Sequence, residues 1–488
     1  MLLRRAGLTL AAAVPLAALA VFFVYPAATL IGRGLVGPNG LDLSGFSEVM
    51  STAKFRRILT FTVRQAAASA ALATAFGVPG AYLLYRCRFR GRALVRAAVT
   101  VPFVLPTVVV ALAFRTLFAT NGWLGSWGWD GSLAAILAAH VFLNYAVVVR
   151  ILGTTWAHLD DRAEQAARSL GAGPVRVFRT VTLPALGPAL AGAFTLVFLF
   201  CATSFGIILI MGAGRYNTLE TEIYRQTWDL LDLRTAAVLS IVQVVLVTAV
   251  LIISGALRRR TEATLRWRAA GESGHRLRRA DLPAAVLTGL VLVGMAAPMA
   301  VMVIRSLQTP SGWGLDNYRS LATLGEGNVF LVPVTTALWN SVRAATIAMV
   351  LAVSVGTLLS VVLARRPRSR TGRAAVNGID AAVMLPLGVS AVTVGFGFLI
   401  ALDSPPLDLR GSPLLVPIAQ ATIALPLVVR MILPVLRAAD DRLRQAAAVL
   451  GAGPLRVWTT VDLPIMSRAL VGASAFGFAV ALGEFGAT

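Results

Sequence analysis

The chain has 488 residues, of which 57% are hydrophobic and 14% charged, against about 25% charged in an average soluble domain. That composition argues against a water-soluble globular protein. The net charge of +22 rests on 43 arginines and one lysine, Lys54, which stands in Ala-Lys-Phe. Without a Gly-Lys-Ser/Thr sequence the chain has no P-loop, so any ATP-driven role requires a separate subunit.

In chain order, eleven apolar stretches of roughly bilayer-crossing length are predicted, at 9–31, 58–85, 97–118, 132–153, 189–212, 235–257, 282–305, 338–364, 376–402, 413–435 and 469–488. The first follows Met-Leu-Leu-Arg-Arg. It is too long for a cleaved signal and reads as a retained helix. Between the stretches, 86–96 and 365–373 each hold five arginines and no acid, while 258–281 holds eight arginines and three acids. These three loops share one side if the N-terminus, with Arg4 and Arg5, is cytoplasmic, and the positive-inside rule then sets the orientation. Loops 119–131, 213–234 and 306–337 are expected outside. The basic excess is explained without nucleic acid. Cys87 and Cys201 show no metal-binding or disulfide spacing, and His140, His158 and His275 lie in unrelated segments, so no metal centre is expected.

The sequence is internally duplicated. At an offset of 280, residues 106–150 match 386–430 at 10 of 45 positions, and 160–206 match 440–486 at 24 of 47. The fold class expected is an all-α polytopic membrane protein made of two tandem parallel repeats. The first repeat takes 1–257, a cytoplasmic Arg-rich linker takes 258–281, and the second repeat takes 282–488. The first repeat runs 51 residues beyond Gly206, whereas the sequence stops two residues after the matching Gly486. The second repeat is therefore expected to lack its last helix, and the chain to be a truncated form.

Identity peaks in a predicted cytoplasmic segment, although loops ordinarily diverge faster than the elements they join. Asp160 and Asp161 are N-cap candidates, and Asp161 with Glu164 has capping-box spacing. Alanines follow, then Gly171 or Gly451 as a left-handed C-terminal residue and Pro174 or Pro454 to open another helix. The second helix is expected to stop near Leu183-Pro184. A short, capped helix of this kind buries little surface alone. Kept twice, it points to docking on a partner protein.

Here the sequence resembles the permeases of binding-protein-dependent ABC importers of type I fold. Their Glu-Ala-Ala, three residues, Gly, nine residues, Ile-x-Leu-Pro signature is matched by Gln165-Ala166-Ala167, Gly171, Val181 and Leu183-Pro184. The second match is Gln445-Ala446-Ala447, Gly451, Val461 and Leu463-Pro464. Both copies carry Gln in place of the signature Glu. The resemblance implies a non-enzymatic membrane subunit whose two coupling helices sit on an ATPase dimer. That partner binds the ATP and Mg, so this chain needs no cofactor. It implies further an external solute-binding protein and a bacterial inner-membrane location. A fused double copy, and the stretch Arg215–Tyr224, resemble the ferric-iron and thiamine branch.

The competing reading is a secondary active transporter with two parallel six-helix halves. Such carriers use intramembrane acids or histidines as relays, and the candidates here are few: Asp380, His140 and Glu484. His140, Asn144 and Glu484 are also the candidates for a substrate path.

Overall fold

The structure is a computed structural model describing residues 13–37, 40–159, 162–262, 274–309, 312–323, 332–364, 369–389, 391–403, 408–439, 441–484 and 486. Among these residues nine continuous helices are long and apolar enough to cross a membrane: Ala13–Gly32, Ala53–Arg86, Leu133–His158, Pro174–Ala202, Leu233–Ile253, Arg279–Leu307, Val334–Leu363, Leu415–Ala438 and Trp458–Gly483. A tenth candidate is the pair Arg92–Val104 and Thr107–Phe118, bent by 100°. The expectation of eleven spans is corrected at two places, and both lie at equivalent prolines. Leu105 precedes Pro106 and is extended, at φ −71° and ψ 140°, as a residue before proline prefers. At the matching Pro386 the helix Arg370–Met384 gives way to a tight turn, Leu385–Gly388, and resumes only at Ala391–Ala401.

The chain forms two compact units. One comprises Met50–Glu222 and Val245–Asn317; the other comprises Met1–Val49, Ile223–Val244 and Tyr318–Thr488. In the former, Ala53–Arg86 and Leu133–His158 approach closely because small residues face large ones. A Cβ on Gly77 would strike Val148, one on Gly80 the Tyr145 hydroxyl, and one on Gly153 the Tyr85 ring. With no water to expel between lipid-bathed helices, such close packing supplies the attraction. Leu282–Leu307, the opening helix of the second repeat, packs here on Ala53–Arg86 and Thr107–Phe118, placing Met295 and Val301 in the core with Phe114 and Phe142. In the other unit the chain's first helix sets Leu19 and Phe23 against Leu359, Phe398 and Val429. The chain's first helix thus belongs to the unit that holds Tyr318–Thr488, and Leu282–Leu307 to the unit that holds Met50–Glu222.

Candidate coupling segments

The predicted helix and elbow are present in both repeats. Arg162–Ser169 is a two-turn helix with no buried residue, and Asp441–Val449 is its counterpart. From 162 to 171 and from 442 to 451, exposed and half-buried positions agree residue for residue. The helix closes with Gly171 N–H on Arg168 O at 2.9 Å and Ala172 N–H on Ala167 O at 3.0 Å. The second copy repeats this with Gly451 on Ala448 and Ala452 on Ala447, both at 3.0 Å. This is the Schellman closure, which requires a left-handed residue, and φ is +81° at Gly171 and +84° at Gly451. The capping proposed for Asp160 and Asp161 falls outside the described residues.

Beside each elbow an apolar side chain stands in the open: Leu170 is 88% exposed and Leu450 87%. Gln165, Ala166, Ala167 and Gly171 come together on one helix and elbow, as do Gln445, Ala446, Ala447 and Gly451. Leu183, Pro184, Leu463 and Pro464 do not. They lie in the bases of the membrane helices Pro174–Ala202 and Trp458–Gly483, which run on where a stop was expected. Proline has no N–H and its ring crowds the preceding turn, yet here a widened π turn absorbs the conflict. Leu183 N–H reaches Phe178 O, and Leu463 N–H reaches Trp458 O, five residues back in each case.

Both short helices are tied to that π turn at equivalent positions by different chemistry. In the first copy Thr182 Oγ1 donates to Glu164 Oε1 at 2.7 Å. At the same offset of 280, Arg444 Nε donates to Asp462 Oδ1, also at 2.7 Å. Glu164 additionally faces Arg86 at 3.5 Å and Arg168 at 3.8 Å.

Of the candidate path residues, His140 and Asn144 are brought together. Ser69 Oγ lies 3.0 Å from His140 Nδ1, and Ser204 Oγ lies 2.9 Å from its Nε2. Asn144 Nδ2 donates to His140 O at 2.9 Å. Gln65 Nε2 adds a bond to Cys201 O at 2.8 Å. This network links Ala53–Arg86, Leu133–His158 and the end of Pro174–Ala202, and it engages both imidazole nitrogens, as polar groups buried among membrane helices require. Glu484 belongs to the other compact unit, at the end of its last helix, where its carboxylate accepts Gly486 N–H at 2.8 Å.

One cluster escaped sequence reasoning. Strand Cys87–Arg88 pairs in parallel with His275–Arg276, with Cys87 opposite His275. Cys87 Sγ lies 3.9 Å from His275 Nε2, which lies 3.0 Å from Asp281 Oδ2. Tyr82 donates to Asp281 Oδ1 at 2.6 Å, and Arg278 N–H to Oδ2 at 2.8 Å. Burial pushes the Cys87 thiol up to about 12. His275, Asp281 and Tyr82 also line a cavity of about 820 Å³ that extends to Glu164, Gln165 and Arg168 of the first short helix.

Comparison with known proteins adds the family. Residues 73–263 match the binding-protein-dependent transport system inner membrane component. The chain is 28% identical to the thiamine transport system permease protein ThiP of Brucella abortus, an alignment covering 99% of this chain and 88% of that protein. It is 26% identical to ThiP of Escherichia coli, over 88% of this chain and 79% of that protein. Among solved structures, a bacterial ABC transporter involved in the import of the acidic polysaccharide alginate aligns with 53% of this chain and 96% of its own, at 16% identity and a TM-score of 0.46. The family domain thus lies within residues 73–263, and along nearly its whole length the chain is similar to permeases of this kind, with the apolar helices of a multi-pass protein of the inner membrane.

Proposed function

We propose that this chain provides both halves of the importer's pore and that each short helix, Arg162–Ser169 and Asp441–Val449, docks in a groove of one ATPase subunit. The observation that carries the reading is the matched pair of elbows, with the same closure, the same burial pattern and an exposed leucine beside each glycine. An exposed helix with small residues and an apolar tip suits insertion into a partner's groove. The N-terminus and both short helices face the cytoplasm, where the partner ATPase dimer binds ATP and Mg²⁺. The solute is small and thiamine-like, delivered by an external binding protein, in keeping with the whole-length similarity to thiamine permeases. A secondary carrier is less well supported, since the intramembrane acids and histidines that such carriers use as relays are few here: Asp380, His140 and Glu484.

Proteoliposomes holding the chain with its ATPase test this reading. Radiolabelled thiamine should accumulate only with binding protein outside and hydrolysable ATP inside. Accumulation driven by an ion gradient without ATP would overturn the ATPase role, whereas ATP turnover stimulated by a different loaded binding protein would overturn only the solute.

A further inference from the structure

The cluster at Cys87, His275 and Asp281 has the form of a coordination site. Its three donors, a sulfur, an imidazole nitrogen and a carboxylate oxygen, all lie within 4.8 Å of one another. Around a tetrahedral ion with bonds of about 2.0–2.3 Å, neighbouring ligand atoms stand roughly 3–4 Å apart. The measured edges are 3.9 Å from Sγ to Nε2 and 3.0 Å from Nε2 to Oδ2.

A proton relay does not suit this geometry as well. A thiol-imidazole-carboxylate relay places thiol and carboxylate on opposite ring nitrogens, yet here both converge on Nε2. A plain hydrogen-bonded pin would have the Cys87 thiol and His275 Nε2 both donate to Asp281, and it would give no charge-transfer band with a probe ion. The carboxylate is oriented as a ligand would be. Tyr82 holds Oδ1, the Arg278 N–H holds Oδ2 from one side, and Asp281 is only 4% exposed. Outer hydrogen bonds of this kind fix metal-binding carboxylates in place. The cavity beside His275 and Asp281 supplies both an entry path and room for a fourth, exchangeable ligand.

We propose that Cys87 Sγ, His275 Nε2 and Asp281 Oδ2 bind one divalent transition-metal ion of the zinc class. Mixed sulfur, nitrogen and oxygen donors select a borderline-soft ion over magnesium or calcium, and three protein ligands with one open position form an exchangeable site. A bound ion clips the end of the linker, at His275–Asp281, to the end of helix Ala53–Arg86, joining positions 188 residues apart in sequence. Arg86 at that helix end meets Glu164 of the first short helix, so the clip lies one contact from the docking element.

The test uses the full-length chain in detergent, with any affinity tag removed, and Co²⁺ as the probe. The wild type should bind one Co²⁺ per chain with a thiolate-to-cobalt charge-transfer band, and Zn²⁺ should displace it. Cys87→Ser should lose the band. His275→Gln should weaken binding at least tenfold, and Tyr82→Phe, which keeps all three ligands, should weaken it about 10- to 100-fold. Because Cys87→Ser and Tyr82→Phe each change a single polar atom, an unchanged gel-filtration profile certifies each fold. The proposal is overturned if the wild type shows no charge-transfer band at saturating Co²⁺, or if Cys87→Ser binds with wild-type stoichiometry and affinity.

Discussion

Removing the Asp462 carboxylate should loosen the second short helix more than removing the Thr182 hydroxyl loosens the first. Arg444 Nε and Asp462 Oδ1 are 2.7 Å apart, with side chains 28% and 15% exposed. A hydrogen bond between charged groups contributes about 1.5–3 kcal/mol. Arg444 keeps some access to water and can partly rehydrate, so Asp462→Ala should cost about 1–2 kcal/mol, a factor of about 5–30 in the local equilibrium. In the first copy, Thr182→Val removes the hydroxyl at nearly constant shape and leaves Glu164 facing Arg86 and Arg168. Its cost should be nearer 0.5–1.5 kcal/mol, roughly that of an ordinary hydrogen bond. Hydrogen exchange of the backbone amides in 441–449 and 162–169 reads both effects directly. The double variant Arg444→Ala/Asp462→Ala should lose less than the sum of the two single losses, the shortfall being the coupling of the pair. Equal acceleration in the two copies, or additive losses from Arg444 and Asp462, would refute the assignment of these ties.

Gly171→Val and Gly451→Val should each cost about 1–3 kcal/mol by forcing a β-branched residue to positive φ. Nothing lies within 4 Å of either added Cβ, so the penalty is conformational, and the measurement is co-purification of the ATPase from membranes that retain normal permease levels. A cysteine at Ser169 should resist a membrane-impermeant maleimide in intact cells, and one at the exposed Trp123 should react, with Cys87 and Cys201 silent because both are buried; the reverse pattern inverts the proposed orientation. Gly77→Val should drive a side chain into Val148 and lower bundle stability by about 1–3 kcal/mol, checked by thermal unfolding in detergent.

Local chemistry was legible in the sequence where one residue type has one conformational meaning. Gly171 and Gly451 announce left-handed helix ends, and the apolar runs announce membrane helices. Proline was harder to read, because its effect depends on what the surrounding turn can absorb. Pro106 and Pro386 break apolar runs that look continuous, while Pro184 and Pro464 sit within continuous helices behind a π turn. The pairing of Glu164 with Thr182, and of Arg444 with Asp462, was hidden because the equivalent positions share no residue type. Long-range placement was not legible at all. Hydrophobic periodicity says that Leu282–Leu307 has faces to bury but not that Phe114 and Phe142 receive them. Spacing rules for metal ligands compare neighbours in sequence, so they pass over Cys87 and His275, which a two-residue strand pairing brings together.

Contact of both elbows with the ATPase is the central claim, and cross-linking from Leu170 and Leu450 tests it most directly. Each leucine is replaced by cysteine in turn, in chains assembled with an ATPase carrying single cysteines along its permease-facing groove, and a short bifunctional maleimide is added. A permease-ATPase adduct is expected from each position, with ATP-driven uptake inhibited once the adduct forms. An assembly that imports solute at the expense of ATP yet gives no adduct from either position would contradict the claim.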